Sequence, residues 1–215
     1  MKVLSVNVGM PRDVQIDDRT VATGIYKVPI TERVRVRILN LDGDRQADLT
    51  VHGGTDKAVY AYPSEHYAFW RDILGEDLSW GAFGENLTIE GLSEQTGSVG
   101  DQLGIGTATF VITQPRLPCF KLAAKFQRDK IIKEFLDSRR TGFYLKVAHE
   151  GTLQAGDPIH VLRQAPERFT IREVTDLYLT KEPKASQLER VLSVMDLAAS
   201  WRHHFTRILG TDTEF

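Results

Sequence analysis

Short apolar runs recur through the first 163 positions. KVLSVNV, RTVATGIYKVPI, RVRVRIL, TATFVIT, FYLKVAH and DPIHVLR are rich in Val, Ile, Thr and aromatic residues. Gly, Pro and Asp punctuate them, and this pattern predicts strands. In RVRVRIL the alternation puts Val34, Val36 and Ile38 on one face and Arg33, Arg35 and Arg37 on the other, the mark of a half-buried strand. Two stretches break the pattern with helical spacing. PSEHYAFWRDILG offers Ser64 as a cap, Tyr67, Trp70, Ile73 and Leu74 as a stripe, and Gly75 as a stop. A second helix starts at Pro118 and runs through KLAAKFQ, and a further turn or two carries Ile131, Ile132, Phe135 and Leu136. Many short strands with few helices point to a barrel rather than to βαβ layering.

The period changes after Arg163. QAPER reads as a linker at 164–168. Three helical patterns follow in 169–210, and 211–215 form a polar tail. Thr170 caps Ile171, Val174, Leu177 and Tyr178. Leu188, Val191 and Leu192 make a second stripe. Asp196 caps a third with Leu197, Trp201, Phe205, Ile208 and Leu209. A stretch of about 40 residues is marginal for independent folding. The helices are therefore expected to pack on the barrel or on a second copy, which leaves a homodimer open.

Composition narrows the function classes. The 215 residues carry a net charge of −2, without the clustered cations of a nucleic-acid surface. No apolar run reaches the roughly 20 residues needed to span a bilayer, and the N-terminus lacks a signal-peptide pattern. The one cysteine cannot form an internal disulfide, so a reducing compartment, the cytoplasm, is expected.

That cysteine, Cys119, stands in ITQPRLPCFKL, between a strand and the first turn of a helix, with Arg116 and Lys121 nearby. Helix dipole and neighbouring cations favour a thiolate there, the form that attacks electrophiles and binds soft metals. A small buried hydrophobe is the plainer alternative. In VHGGTDKAVYAYP, His52 precedes Gly53 and Gly54, and Lys57 follows. A phosphate cradle and a simple turn both fit, though the spacing is not that of a P-loop. In GAFGENLTIEG, Asn86 could hold a heterocycle or fix the loop. In DSRRTGFYLKV, Arg140 could grip phosphate or pair with a surface carboxylate. His203 and His204 lie on the last helix, at most one facing inward, and a surface position is expected for them. His66 is expected at the edge of the core.

Four windows, VHGGTDKAVYAYP, GAFGENLTIEGL, VGDQLGIGTATFVITQPRLPCFKL and TGFYLKV with EGTLQAGDPI, together resemble the MOSC family, named for the C-terminal domain of molybdenum cofactor sulfurases. They stand in the family's order, with the lone cysteine in the expected PRxPC setting. The helical tail is similar to that of a bacterial subgroup, the 6-N-hydroxylaminopurine-resistance proteins. Arg139 departs from the subgroup, which often has Gly there. The resemblance implies a MOSC-type β-barrel with peripheral helices plus a small three-helix domain. It implies the molybdenum cofactor, with Cys119 as the ligand to molybdenum. Arg116, Lys57, Gly53, Gly54 and Arg140 would take the cofactor phosphate, and His52 and Asn86 would face cofactor or substrate. The implied chemistry is reduction of small N-hydroxylated compounds. This chain has no dinucleotide fingerprint and too few cysteines for an iron–sulfur cluster, so a separate reductase must supply electrons. The alternatives are a cofactor carrier or sulfur-transfer protein using a persulfide on Cys119, and a non-catalytic ligand or interaction module.

Overall fold

A computed structural model of the chain describes residues 1–16, 18–47 and 53–211. Eight strands form one sheet in the order β12-β8-β9-β10-β6-β7-β1-β4. They are β1 (Lys2–Val8), β4 (Val28–Ile30), β6 (Val59–Pro63), β7 (Leu87–Glu90), β8 (Gln102–Ile105), β9 (Ala108–Pro115), β10 (Phe143–His149) and β12 (Ile159–Arg163). All neighbours pair antiparallel except β6 and β7. Two further pairs flank the sheet: β2 (Arg12–Ile16) with β3 (Arg19–Thr23), and β5 (Val34–Val36) with β11 (Gly151–Leu153). The sheet curls so that β1, one strand in from the β4 end, reaches the β12 end. Val3 N donates to Asp157 O at 3.0 Å and Ile159 N to Met1 O at 3.0 Å, so β1 contacts the start of β12 while its other half pairs with β4. The barrel-like architecture expected from the strand-rich sequence is therefore present.

Strand β6 shows how the sheet divides the core. Its side chains alternate between faces, as a pleated strand requires. Val59 and Ala61 join a core with Val6, Phe110, Phe143 and Leu145. Tyr60 and Tyr62 join a second core with Trp70, Phe83, Leu122 and Phe135. The second core is roofed by α1 (His66–Leu74), α2 (Phe120–Phe126) and α3 (Ile131–Ser138). Trp70 Nε1 donates to the Tyr62 hydroxyl at 2.6 Å, so both polar tips in this apolar layer are satisfied.

Three C-terminal helices, α4 (Ile171–Leu179), α5 (Ala185–Ser193) and α6 (Ala199–Thr211), pack on the sheet. Their Ile171, Val174, Leu188, Val191, Trp201 and Phe205 belong to the first core. Thr170 caps α4 as expected, in a reciprocal capping box with Glu173. The segment before it is pinned: Ala165 N donates to Asp101 Oδ1 at 2.9 Å, and Arg168 pairs with Asp101 at 2.8 Å.

Local readings need correction at three ends. Strand β5 stops at Val36, and Ile38 is exposed because the chain turns there and its N–H is taken by Glu150. Ser64 is not a cap; its carbonyl accepts from Tyr67 N in the turn before α1. Asp196 pairs with Lys146 at 3.3 Å, and α6 starts three residues later. His66 is buried, bonded to the buried Glu94 at 2.7 Å. Among the described residues no helix is long and apolar enough to cross a membrane.

Candidate active site at Cys119

The longest strand delivers the chain to the site. Strand β9 ends at Pro115, and Arg116-Leu117-Pro118 carries the backbone to Cys119. Cys119 is the N-cap of α2, which starts at Phe120, two residues later than the expected start at Pro118, and its backbone is extended at φ −128° and ψ 173°. Its carbonyl accepts from Leu122 N at 2.8 Å, while its side chain makes no capping bond to the helix. The thiol is half-buried and lines two clefts.

The first cleft is cationic. Among the described residues, Lys27, Arg45, Lys57, Arg116 and Lys121 line it, against a single carboxylate, Asp44. Arg116 is 6% exposed, its guanidinium 5.4 Å from the Tyr60 ring centroid and 5.2 Å from that of Phe135. Its Nη1 has no hydrogen-bond partner among the described residues. Burial works against its charge, but Tyr60, Tyr144 and Cys119 nearby outweigh that and raise its pKa. A buried guanidinium with an unpaired N–H is costly, so it marks a place for an anion. Burial also lowers the pKa of Lys57, with Asp56 opposing. It raises that of Tyr144, whose phenol stays protonated.

The floor of this cleft is a bonded network. Lys27 pairs with the buried Asp44, which also accepts from Gly9 N at 3.0 Å and Asn86 Nδ2 at 2.9 Å. Asn86 Oδ1 accepts from Tyr60 N at 3.1 Å. The amide of Asn86 thus lines the cleft while fixing its floor. Just before it, the wholly buried Glu85 accepts from Gly81 N at 2.9 Å, Phe83 N at 3.1 Å, Thr88 Oγ1 at 2.9 Å and the Tyr67 hydroxyl. Lys125 of α2 ties this loop to the 25–27 segment, donating to Gly81 O at 3.1 Å and Ile25 O at 3.2 Å. Burial pulls Lys125 down to about 8; Glu85 opposes this, while Arg116, Lys27 and Arg12 reinforce it.

The second cleft opens between the end of β9 and the C-terminal helices, with a volume of about 380 Å³. Cys119, Lys57 and Tyr144 are shared with the first cleft, and Tyr178, Trp201 and His204 form its far wall.

The family model described as MOSC domain matches residues 48–160. The chain belongs to the MOSC family. The MOSC match starts five residues before Gly53, runs into β12 and so includes Lys57, Asn86, Arg116 and Cys119. The YflK protein of Bacillus subtilis (strain 168) is 38% identical over 205 residues, covering 95% of this chain and 93% of its own length. The crystal structure of YiiM from Geobacillus stearothermophilus superposes with a TM-score of 0.83 at 34% identity, covering 97% of this chain and 98% of that one. A protein named Reductase from Gibberella moniliformis (strain M3125 / FGSC 7600) is 30% identical over 158 residues, which are 72% of this chain but only 28% of that protein.

The residues of this MOSC chain fit a phosphate-bearing group with a soft metal. Arg116 Nη1 and the lysines suit the phosphate. Among the described residues no cluster of three or more His, Cys, Asp or Glu could hold a metal. Cys119 would then be a single thiolate added to a metal that arrives with its own sulfur ligands.

The other expected site residues divide. Lys57, Arg116 and Asn86 line the first cleft with Cys119. Gly53 and Gly54 line neither cleft. Gly54, at φ +94°, starts the 3-10 turn 55–57, and its carbonyl accepts from Lys57 N at 3.1 Å. Arg140 lies away from both, its guanidinium 3.9 Å from the Phe69 ring centroid, because Arg139 occupies the left-handed turn after α3 and sends the next side chain toward α1. His52 falls outside the described residues. His203 is exposed as expected, but His204 is half-buried against Tyr178 and corrects the surface reading. Lys27, Asp44, Tyr144 and Tyr178 were not anticipated, since they come from segments far apart in sequence.

Proposed function

We propose that this MOSC protein binds the molybdenum cofactor and reduces small N-hydroxylated compounds, taking electrons from a separate reductase. The observation that carries the proposal is the meeting of a half-buried thiol and a buried, incompletely bonded guanidinium in one cationic cleft. In the balanced reaction R–NHOH takes two electrons and two protons to give R–NH2 and water, breaking the N–O bond. When bound, the cofactor supplies the two-electron redox chemistry. The chain's own residues do the rest. Cys119 would hold the metal. Arg116 would neutralise the phosphate, with Lys57 and Lys121 beside it. The Lys27–Asp44–Asn86 network would keep that wall rigid. Tyr144, protonated and shared by both clefts, is placed to donate a hydrogen bond to a bound oxygen.

The name of the Gibberella relative supports a reductase activity, and the cytoplasm, with a diffusible electron donor, is the setting the single cysteine favours. The test is anaerobic loading with molybdenum cofactor, then reduction of 6-N-hydroxylaminopurine by the loaded protein with a chemical donor. Adenine as product supports the reading. A loaded protein that yields none while mass spectrometry finds a persulfide on Cys119 replaces it with the sulfur-transfer reading.

A further inference from the structure

The second cleft differs in kind from the first. Tyr178 of α4 lies with its ring centroid 5.2 Å from Trp201 and 5.2 Å from His204 of α6. Leu117, Pro118 and Tyr144 face this aromatic wall across the cleft. Flat π-faces opposed by apolar surface suit a planar ring. The volume, about 380 Å³, lies within the range of small-molecule sites. Among the described residues Lys57 is its one formal charge, because burial and the nearby Arg207 lower the pKa of His204 and keep it neutral at pH 7. One buried polar atom in the wall is unsatisfied: His204 Nε2 has no hydrogen-bond partner among the described residues. Buried ring nitrogens nearly always have one, so a polar ligand atom that reached this nitrogen would complete its bonding.

We infer that Tyr178, Trp201 and His204 form the specificity wall of the site, taking an uncharged planar nitrogen heterocycle and directing its reactive end toward Cys119. The helices then do more than cover the sheet. The ring stacks on the aromatic side chains, and a ring or exocyclic nitrogen bonds to His204 Nε2. Ser200, whose hydroxyl donates to Gln114 Oε1 at 3.5 Å, ties α6 to the end of β9 and so sets the width of the cleft. The cofactor is left to the cationic cleft. Only the description of this heterocycle as the substrate rests on the proposed reductase; its binding does not.

The experiment is calorimetric titration of the chain, without electron donor, using 6-N-hydroxylaminopurine and N-cyclohexylhydroxylamine as probes. The purine is expected to bind at least about tenfold more tightly than the cyclohexyl compound. His204→Leu is expected to lose about tenfold for the purine and nothing for the cyclohexyl probe, while His204→Asn, which keeps a polar atom, recovers most of the loss. Thermal melting identifies any variant that fails to fold. Hydrogen exchange on the unaltered chain needs no variant: added purine should protect amides of α6 around Trp201 and of α4 near Tyr178. Equal affinity for the two probes, unchanged purine affinity in a folded His204→Leu chain, or protection confined to the first cleft overturns the inference. Purine binding that depends on His204 in a protein that reduces nothing sinks the reductase reading alone. Reduction indifferent to His204 and Tyr178 sinks this inference alone.

Discussion

Two clefts share one thiol, and their walls follow opposite physical rules. The cationic cleft is lined by Lys27, Arg45, Lys57, Arg116 and Lys121, from segments far apart in sequence. Among the described residues its one carboxylate, Asp44, is already bonded to Lys27, Gly9 and Asn86, which leaves Arg116 Nη1 without a partner. The aromatic cleft is walled by two helices and carries, among the described residues, one formal charge, Lys57. An anion gains in the first by supplying the bond that Arg116 lacks. It gains little in the second, where a flat neutral ring loses less hydration and finds π-faces. Electrostatics alone can therefore sort a phosphate-bearing ligand from an uncharged ring on either side of Cys119.

The largest expected effect breaks both clefts at once. Cys119→Ser should lower the reduction rate of the loaded protein by at least about 100-fold, as loss of a metal-site residue does. Its melting temperature should hardly change, because Ser is a favoured N-cap and Cys119 occupies that position. Steady-state rates and thermal melts on the same samples check this. Arg116→Met should break only the cationic side. Affinity for the cofactor should fall about 10- to 100-fold, the value of a charge-assisted bond of roughly 1.5–3 kcal/mol. Purine binding should be unchanged, and stability in denaturant should change little, since the burial cost of the guanidinium and its attraction to Tyr60, Tyr144 and Cys119 are lost together.

The contrast between the clefts was unequally legible in the sequence. Strands β9 and β10 were clear because TATFVIT and FYLKVAH are dense in β-branched and aromatic residues. Cys119 was clear because a lone cysteine follows a proline between two periods. Strand β6 was missed because both its faces are buried, so VYAYP shows no polar alternation. The aromatic wall was missed for a similar reason. Tyr178 and Trp201 looked like ordinary members of helical stripes, and His204 stood beside an exposed histidine. What separates them is the packing of α4 against α6 beside the end of β9, which no local pattern encodes. Arg140 shows the reverse case, a residue next to the right motif whose side chain the left-handed turn at Arg139 sends elsewhere.

Smaller effects sharpen the comparison. Glu85→Gln places an amide N–H against the donors of Gly81, Phe83, Thr88 and Tyr67, and should cost about 2 kcal/mol of stability in denaturant titration. It disturbs the loop carrying Phe83, Gly84 and Asn86 of the cationic cleft and should leave purine binding intact. Lys125 gives a pH-dependent version. Its proton leaves at about 8 in the fold against an ordinary 10.5. Between those values the unfolded chain holds more protons, so this group makes stability rise with pH across the window. Below about pH 8 the burial of its charge is a full penalty. Lys125→Met should therefore gain most relative to the parent chain at pH 7, and the advantage should shrink by about 2 kcal/mol at pH 10, once partial exposure is allowed for. Parallel unfolding curves across that range check the slope.

In the proposed function the Cys119 sulfur holds the cofactor's metal at the junction of the two clefts. The decisive measurement is molybdenum retained per chain after anaerobic reconstitution and gel filtration, in the parent protein and in Cys119→Ser. Stoichiometric metal is expected in the parent and little in the folded variant. Equal metal in both would remove Cys119 from that role.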